Sequence, residues 1–376
     1  MTIGVPKEIK RHEYRVGCTP AGAKAYVGAG HTVLVQKNAG IEAGFDDHEY
    51  EGVGAHIVAQ PREIFDRSDM IVKVKEPQPE EYDLFHEDQI LYTYLHLAAD
   101  KGLTEAMMAR NIKAVGYETM ETDHGALPLL RPMSEIAGRM SIQEGAKYLE
   151  RPAGGRGWLR GGVPGTEKGK VAILGGGVVG VNAAKMAVGL GAQVTVLDIN
   201  IDKLEYVDDI FSGRVTTLYS SQAHLEHVIE ESDLIIGAVL IHGAKAPHLV
   251  TRDQLHRMKR GSVIVDVAVD QGGCIETTRP TTHDEPTFVV DDVVHYCVAN
   301  MPGAVSRTAT LALTTATLPY GIEIANKGLE GACETDPVIS RGVNTYVGKL
   351  TYEAVAEAFG MTYTRLDSLL SAAATA

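Results

Sequence analysis

Short apolar runs recur along the chain, each followed by a stretch in which apolar positions fall at helical spacing. In the first third, residues 2–5, 32–36, 70–74, 90–94 and 114–117 read as strands, and residues 21–29 as the first of the intervening helices. The runs are nearly continuous in apolar side chains, as expected of strands covered on both faces. The alternation therefore predicts an α/β domain with a parallel sheet and helices on either side. A second series, at residues 171–174, 193–197, 215–218, 233–239 and 262–267, predicts another domain of the same kind. Between the two, residues 132–149 begin at a proline and place Ile136, Met140 and Ile142 on one side, which reads as a long helix bridging the domains. Residues 151–169 are the most glycine-rich part of the chain and read as an irregular loop. Helices are expected again at residues 304–326 and 352–359. The second series has no strands left for them, so they are expected to pack back on the first domain.

Composition narrows the class. A chain of 376 residues exceeds the size at which one core keeps growing, so two domains are the default. A hydrophobic share of 44% with 22% charged residues is ordinary for a soluble globular protein. The net charge of −14 is spread along the chain, which argues against nucleic-acid binding. Cys18, Cys274, Cys297 and Cys333 show no paired spacing and read as free thiols in a reducing compartment. The first residues carry no apolar core of a secretory signal, so a cytoplasmic location is expected. The most apolar helical stretch, residues 304–325, contains Arg307, Pro319 and Glu323 among many threonines, and reads as a buried helix, with no membrane partner implied. The alanine-rich end, residues 371–376, is expected to fray.

The strand at residues 171–174 runs straight into Gly175, Gly177 and Gly180, the G-x-G-x-x-G spacing, and then into a helix beginning at Val178. The first glycine permits a tight turn, the second lets backbone approach a pyrophosphate, and the third lets the helix pack closely on its strand. The helix directs its unpaired N–H groups and positive dipole end at the same place. The next strand ends on Asp198, near the offset at which an acid bonds ribose hydroxyls and repels a 2′-phosphate. This context favours a dinucleotide site for NAD over NADP; the bland reading of Asp198, a strand-end cap, fits the spacing less well. Ligands of open α/β sheets lie outside the carboxyl ends of strands, which adds Ala238, Val239 and Leu240, and Val267 through Asp270.

Polar residues embedded in apolar runs mark the first domain. Lys75 and His96 each follow an apolar strand, and Arg15 lies just past the first one. Singly, Lys75 reads as well as a solvated strand-end lysine, His96 as a helix-capping histidine and Arg15 as a member of a surface ion pair. Three such residues converging on one sheet edge favour a site. No H-E-x-x-H, no Cys/His cluster and no EF-hand pattern occurs, so no metal is expected.

Over almost its whole length the chain resembles the alanine dehydrogenase family. The resemblance rests on residues 4–10, Arg15-Val16, residues 72–77, 93–98 and 131–138, the glycine turn, and residues 266–273 and 300–305. It implies two doubly wound Rossmann-like domains with parallel sheets, joined by long helices and separated by a cleft. A substrate domain would comprise residues 1–130 plus 305–376, with an NAD-binding domain at residues 131–304 inserted between. It also implies a homohexamer and reversible conversion of L-alanine, water and NAD to pyruvate, ammonia and NADH. By position, Arg15 and Lys75 match substrate-binding residues, and His96 and Asp270 the acid/base pair. Ser134, Asp198, Lys203, Ser220, Arg279 and Asn300, with Met301 beside it, match cofactor contacts.

The residue types suit that chemistry. Arg15 offers a planar fork to a carboxylate, and Lys75 a compact charge to a carbonyl oxygen. Imine hydrolysis needs a group that exchanges protons near neutral pH, which His96 supplies. Asp270 can orient water or stabilise an iminium. Three other readings remain open: an enzyme like lysine-forming saccharopine dehydrogenase, a non-catalytic NAD-binding subunit of a transhydrogenase-like complex, and a catalytically silent NAD-sensing or assembly protein.

Overall fold

The computed structural model describes residues 1–239 and 247–373. Strands and helices alternate from the start: β1 (Thr2–Val5), α1 (Pro20–Gly28), β2 (Thr32–Gln36), α2 (Asp47–Glu51), β3 (His56–Val58), α3 (Pro61–Arg67), β4 (Met70–Val72), β5 (Ile90–Thr93), α4 (Lys101–Ala109) and β6 (Lys113–Gly116). Then come α5 (Arg131–Tyr148), β7 (Lys170–Leu174), α6 (Val178–Gly189), β8 (Gln193–Asp198), α7 (Ile201–Phe211), β9 (Val215–Tyr219), α8 (Gln222–Glu231), β10 (Leu234–Gly237), α9 (Arg252–Leu255), β11 (Val263–Asp266), β12 (Thr287–Val290) and β13 (Val293–Tyr296). The chain closes with α10 (Ser306–Thr335), α11 (Pro337–Gly342), β14 (Val343–Tyr346), β15 (Lys349–Leu350), α12 (Glu353–Phe359) and α13 (Leu366–Ala373).

Two compact units result, one of Met1–Met133 with Gly303–Ala376 and the other of Ser134–Pro302. In the first, the sheet order is β15-β14-β6-β5-β4-β1-β2-β3, with β3 through β6 parallel and β14 and β15 added antiparallel at one edge. The order reverses direction between β1 and β4, so the loops leaving their carboxyl ends diverge and open a crevice. β4 and β5 are buried throughout, as continuous apolar strands between two helical layers must be. Leu34, Ile64, Ile71, Leu91, Leu103 and Met107 share one core, each contributing about 1.5–3 kcal/mol on burial.

In the second unit the order is β12-β13-β11-β10-β7-β8-β9, all parallel except β12. Its reversal lies between β7 and β10, beside the glycine turn. Ala172, Leu197, Ile229, Ile235 and Ile264 form its core.

The α/β class and the mostly parallel sheets agree with the sequence pattern. The strands proposed at residues 70–74 and 90–94 end early, at Val72 and Thr93, because the backbone beyond them turns to carry Lys75 and His96. Five strands were not anticipated. β3 is three residues long, and the β12–β13 and β14–β15 pairs are antiparallel edges without strong apolar runs. The last long helix runs on to Thr335, interrupted at Gly328 by a left-handed φ of 74°. It packs on α1, within the first unit. Residues 151–169 are irregular apart from one short 3₁₀ turn at Arg151–Ala153. All four cysteines are free and buried, and among the described residues no helix is long and apolar enough to cross a membrane.

Candidate active site

In the first unit, Arg15, Lys75 and His96 follow β1, β4 and β5, which are neighbours in the sheet, so their loops emerge along one carboxyl edge. Arg15 is not a surface residue. Its side chain is about 1% exposed and grips Glu13 side-on, Nε to Oε1 at 2.6 Å and Nη2 to Oε2 at 2.5 Å. Burial alone would raise the Glu13 pKa, but Arg15 outweighs it and holds the carboxyl below the usual range. Glu13 thus fixes the guanidinium plane through Nε and Nη2, and Nη1 lies 3.0 Å from Met133 Sδ.

Lys75 is partly buried, and burial followed by repulsion from Arg15 lowers its pKa. Two cations close enough to repel each other suit the binding of an anion. Beneath them Glu8 accepts the N–H groups of Val74 (2.6 Å) and Lys75 (3.3 Å) and pairs with the fully buried Lys73, which also donates to Glu81 at 2.7 Å. This network pins the backbone turn that carries Lys75.

His96 sits in the left-handed region, φ 50° and ψ 34°, directly after β5. Both oxygens of Glu118 hold this turn: Oε1 accepts from Leu95 N–H (3.0 Å) and His96 N–H (2.6 Å), and Oε2 from Leu95 N–H at 3.2 Å. His96 precedes a 3₁₀ turn, yet its imidazole makes no capping bond, which removes the helix-cap reading. Instead Nδ1 lies 3.4 Å from Glu76 Oε2, and the side chain is 45% exposed. Glu8, Glu13, Glu76 and Glu118 were not singled out from the sequence. Their only signal there is an acid close in sequence to a basic residue or a strand end, which surface acids share.

In the second unit the glycine turn joins β7 to α6. Gly175 has a φ of 112° and lies so near the end of β10 that a Cβ would come within 2.6 Å of the Ala238 carbonyl oxygen. At Gly180 a Cβ would overlap the Gly175 carbonyl oxygen, while at Gly177 it would meet nothing within 4 Å. Two glycines are thus required by packing and the third by open space above the backbone. That space lies at the start of α6, where Gly177 provides no side-chain cap, no acid occupies the first turn, and Val178 is exposed. Free N–H groups, a positive dipole end and an open cradle together fit a pyrophosphate.

Asp198 ends β8 with Oδ2 accepting the Gly176 N–H at 2.7 Å and Oδ1 the Asn200 N–H at 2.9 Å. Lys203 Nζ is 3.7 Å from Oδ2, and Ser220 donates its N–H to the Asp198 carbonyl. Val239 and Val267 follow β10 and β11 at the same carboxyl edge, while Leu240 lies outside the described residues. Asp270 is exposed on a 3₁₀ turn, Val269–Gln271. Buried Asp266 shapes this loop by accepting from Ala268 N–H, Cys274 N–H and Thr278 Oγ1. Arg279 stacks 4.4 Å over Phe288, Asn300 has a left-handed φ of 62° and its carbonyl lies 3.3 Å from His283 Nε2, and Met301 is buried. Ser134, half-buried, lies in the first turn of α5. Farther along that helix Gly138 lets it approach the Val179 carbonyl of α6. The residues around Gly175 and Asp198 form one cluster; Arg279, Asn300 and Met301 lie on the segments that follow β11 and β13.

Two family models match the chain, the alanine dehydrogenase/PNT N-terminal domain at residues 4–137 and the C-terminal domain at residues 141–353. An alanine dehydrogenase of Halomonas elongata is 55% identical over 98% of this chain and 100% of its own length. A solved L-alanine dehydrogenase superposes with a TM-score of 0.93 at 55% identity, covering 96% of this chain and 99% of that one. A transhydrogenase structure from Sinorhizobium meliloti shares the fold at 23% identity and a TM-score of 0.80, covering 94% of this chain and 100% of that one.

Proposed function

Because the chain belongs to the alanine dehydrogenase/PNT family and has alanine dehydrogenase function, that of an oxidoreductase, we propose that its cofactor is NAD and that Arg15, Lys75, His96 and Asp270 carry the reaction. The observation that carries the cofactor reading is Asp198: a carboxylate tied to the glycine turn accepts ribose hydroxyls and repels a 2′-phosphate. Gly175, Gly177, Val178 and Gly180 would cradle the pyrophosphate. Ser134, Lys203, Ser220, Val239, Leu240, Val267, Asp270, Arg279, Asn300 and Met301 would line the rest.

When bound, NAD supplies the acceptor for the hydride that leaves the alanine Cα. Arg15 holds the substrate carboxylate, and Lys75 steadies the oxygen that becomes the pyruvate carbonyl. Loss of hydride leaves an iminium, which water attacks. As the new C–O bond forms, one water proton passes to His96. The imidazolium then returns it to the nitrogen, the C–N bond breaks, and ammonia departs as the hydroxyl proton passes to the now neutral His96 and the carbonyl forms. Asp270 orients the water or stabilises the iminium charge. The assembly is a cytoplasmic homohexamer in this reading, its subunit number read directly by analytical ultracentrifugation.

Oxidation of NADH by pyruvate, run with and without ammonium, tests the activity. Strict dependence on ammonium is expected. Absence of turnover with pyruvate overturns the reading, and equal rates with NADPH overturn the cofactor choice.

A further inference from the structure

Glu76 is an acid the reaction scheme does not use. It follows Lys75 on the turn after β4, its side chain is 14% exposed, and its two oxygens have different surroundings. Oε1 accepts from Lys10, which comes from the segment after β1. Oε2 is buried and has no partner in hydrogen-bonding geometry, and the atom facing it is His96 Nδ1 at 3.4 Å. A buried carboxylate oxygen left unsatisfied is costly, and a donor one short adjustment away is its natural complement. His96 Nε2, in turn, has no hydrogen-bond partner among the described residues.

We propose that Glu76 is a positioning residue for this reaction: Oε2 fixes the imidazole of His96 through Nδ1, so that Nε2 is the nitrogen that exchanges the proton. The proposal rests on the reading of His96 as the proton-transfer group. A carboxylate at Nδ1 keeps the neutral ring protonated there, which makes Nε2 the acceptor for the water proton. When Nε2 takes that proton the ring becomes cationic, and Glu76 is the facing counter-charge. The division of labour with Glu118 is clear in the geometry. Glu118 holds the strained backbone of His96 by two N–H groups, and Glu76 addresses the ring. The other groups in this environment are Lys10, Lys75 and Tyr82 around Glu76, and Tyr94, whose ring centre is 6.0 Å from that of His96. Burial pushes the Glu76 pKa up, but contact with His96 and the charges of Lys75 and Lys10 outweigh it and hold the carboxyl well below its usual range. It is therefore ionised at neutral pH.

The test is a mutant cycle of Glu76→Gln and His96→Ala, read as kcat, KM for alanine and the pH profile of kcat/KM. Glu76→Gln is expected to lower kcat roughly ten- to hundredfold, a part of the general acid–base contribution, with little change in KM. Its acidic limb should move down by up to about one pH unit as the counter-charge disappears. In the His96→Ala background the same substitution should cost nothing further. Lys10→Met, at a half-exposed position outside the fold's core, should move the limb upward by removing a competing cation. A parental profile in both Glu76→Gln and Lys10→Met, or a loss from Glu76→Gln that is equal in both backgrounds, overturns the proposal while leaving His96 in place. If His96→Ala itself keeps parental kcat and profile, the reading of His96 fails first.

Discussion

The Gly176 amide donates to Asp198 Oδ2 at 2.7 Å, so the glycine turn and the acid that ends β8 form one hydrogen-bonded unit. An ionised carboxylate has about four acceptor sites. The bonds from Gly176 and Asn200 therefore leave capacity for ribose hydroxyls. Asp198→Ala should weaken NAD binding and lower the preference for NAD over NADP by roughly ten- to hundredfold, as expected for loss of a charged hydrogen bond. Asp198→Asn keeps an acceptor for Gly176 but loses the charge, so it should retain parental melting behaviour while discriminating less. An unchanged NAD/NADP preference in steady-state kinetics of both variants would reduce Asp198 to a strand cap.

The glycines of the turn should separate folding from binding. A methyl group at Gly180 meets the Gly175 carbonyl, so Gly180→Ala should destabilise the protein by about 1–3 kcal/mol through overpacking. Gly177→Ala adds a methyl group to open space and should melt like the parent, yet bind NAD more weakly because the pyrophosphate needs that space. Thermal melting and NADH fluorescence titration read the two effects. Parental NADH affinity in Gly177→Ala would place the pyrophosphate elsewhere.

Arg15 and His96 should divide between binding and chemistry. Arg15→Ala removes an interaction made in ground and transition states alike, so KM should rise more than kcat falls. It also leaves Glu13 buried without its cation, and a loss of about 3–5 kcal/mol in stability is expected alongside. His96→Ala should lower kcat by about 10²–10⁴-fold. A parental kcat and pH profile in that variant would move the proton shuttle to Asp270.

The Glu13–Arg15 pair sets a pH dependence of stability. Arg15 depresses the Glu13 pKa in the folded state, so the unfolded chain binds more protons in the acid range. The stabilisation is fully present above the unfolded value, near 4.3, and is lost as pH falls through the folded one. Glu13→Gln should therefore be less stable than the parent at pH 7, with the gap narrowing below about pH 4. Urea midpoints from pH 7 to pH 3 measure this, and a gap that stays constant or widens would show that the pair has no such linkage.

The positions of Lys75, His96 and Asp198 were legible in the sequence because a strand buried on both faces must be apolar, so polar residues gather at its carboxyl end; that Lys73 turns inward to Glu8 and Glu81 while Lys75 lies on the loop was not legible. Gly175 and Gly180 were legible for a related reason: a φ of 112° and a carbonyl in the place of a Cβ admit no other residue comfortably. The short strand β3 and the strands β12 and β14–β15 at the sheet margins were not, because edge strands need no continuous apolar run, and β13, though buried, is only four residues long. The acids were hidden as well. Whether Glu13 is a solvated carboxylate or the clamp on Arg15, and whether Glu76 meets water or the ring of His96, depends on which loops the sheet order brings together. Side-chain type alone placed the ends of the central strands to within about two residues, because burial on both faces is a local demand. Only the tertiary structure decided the partners: the reversal of strand order at β1/β4 and β7/β10 places loops distant in sequence side by side, and charges pair according to distance in space.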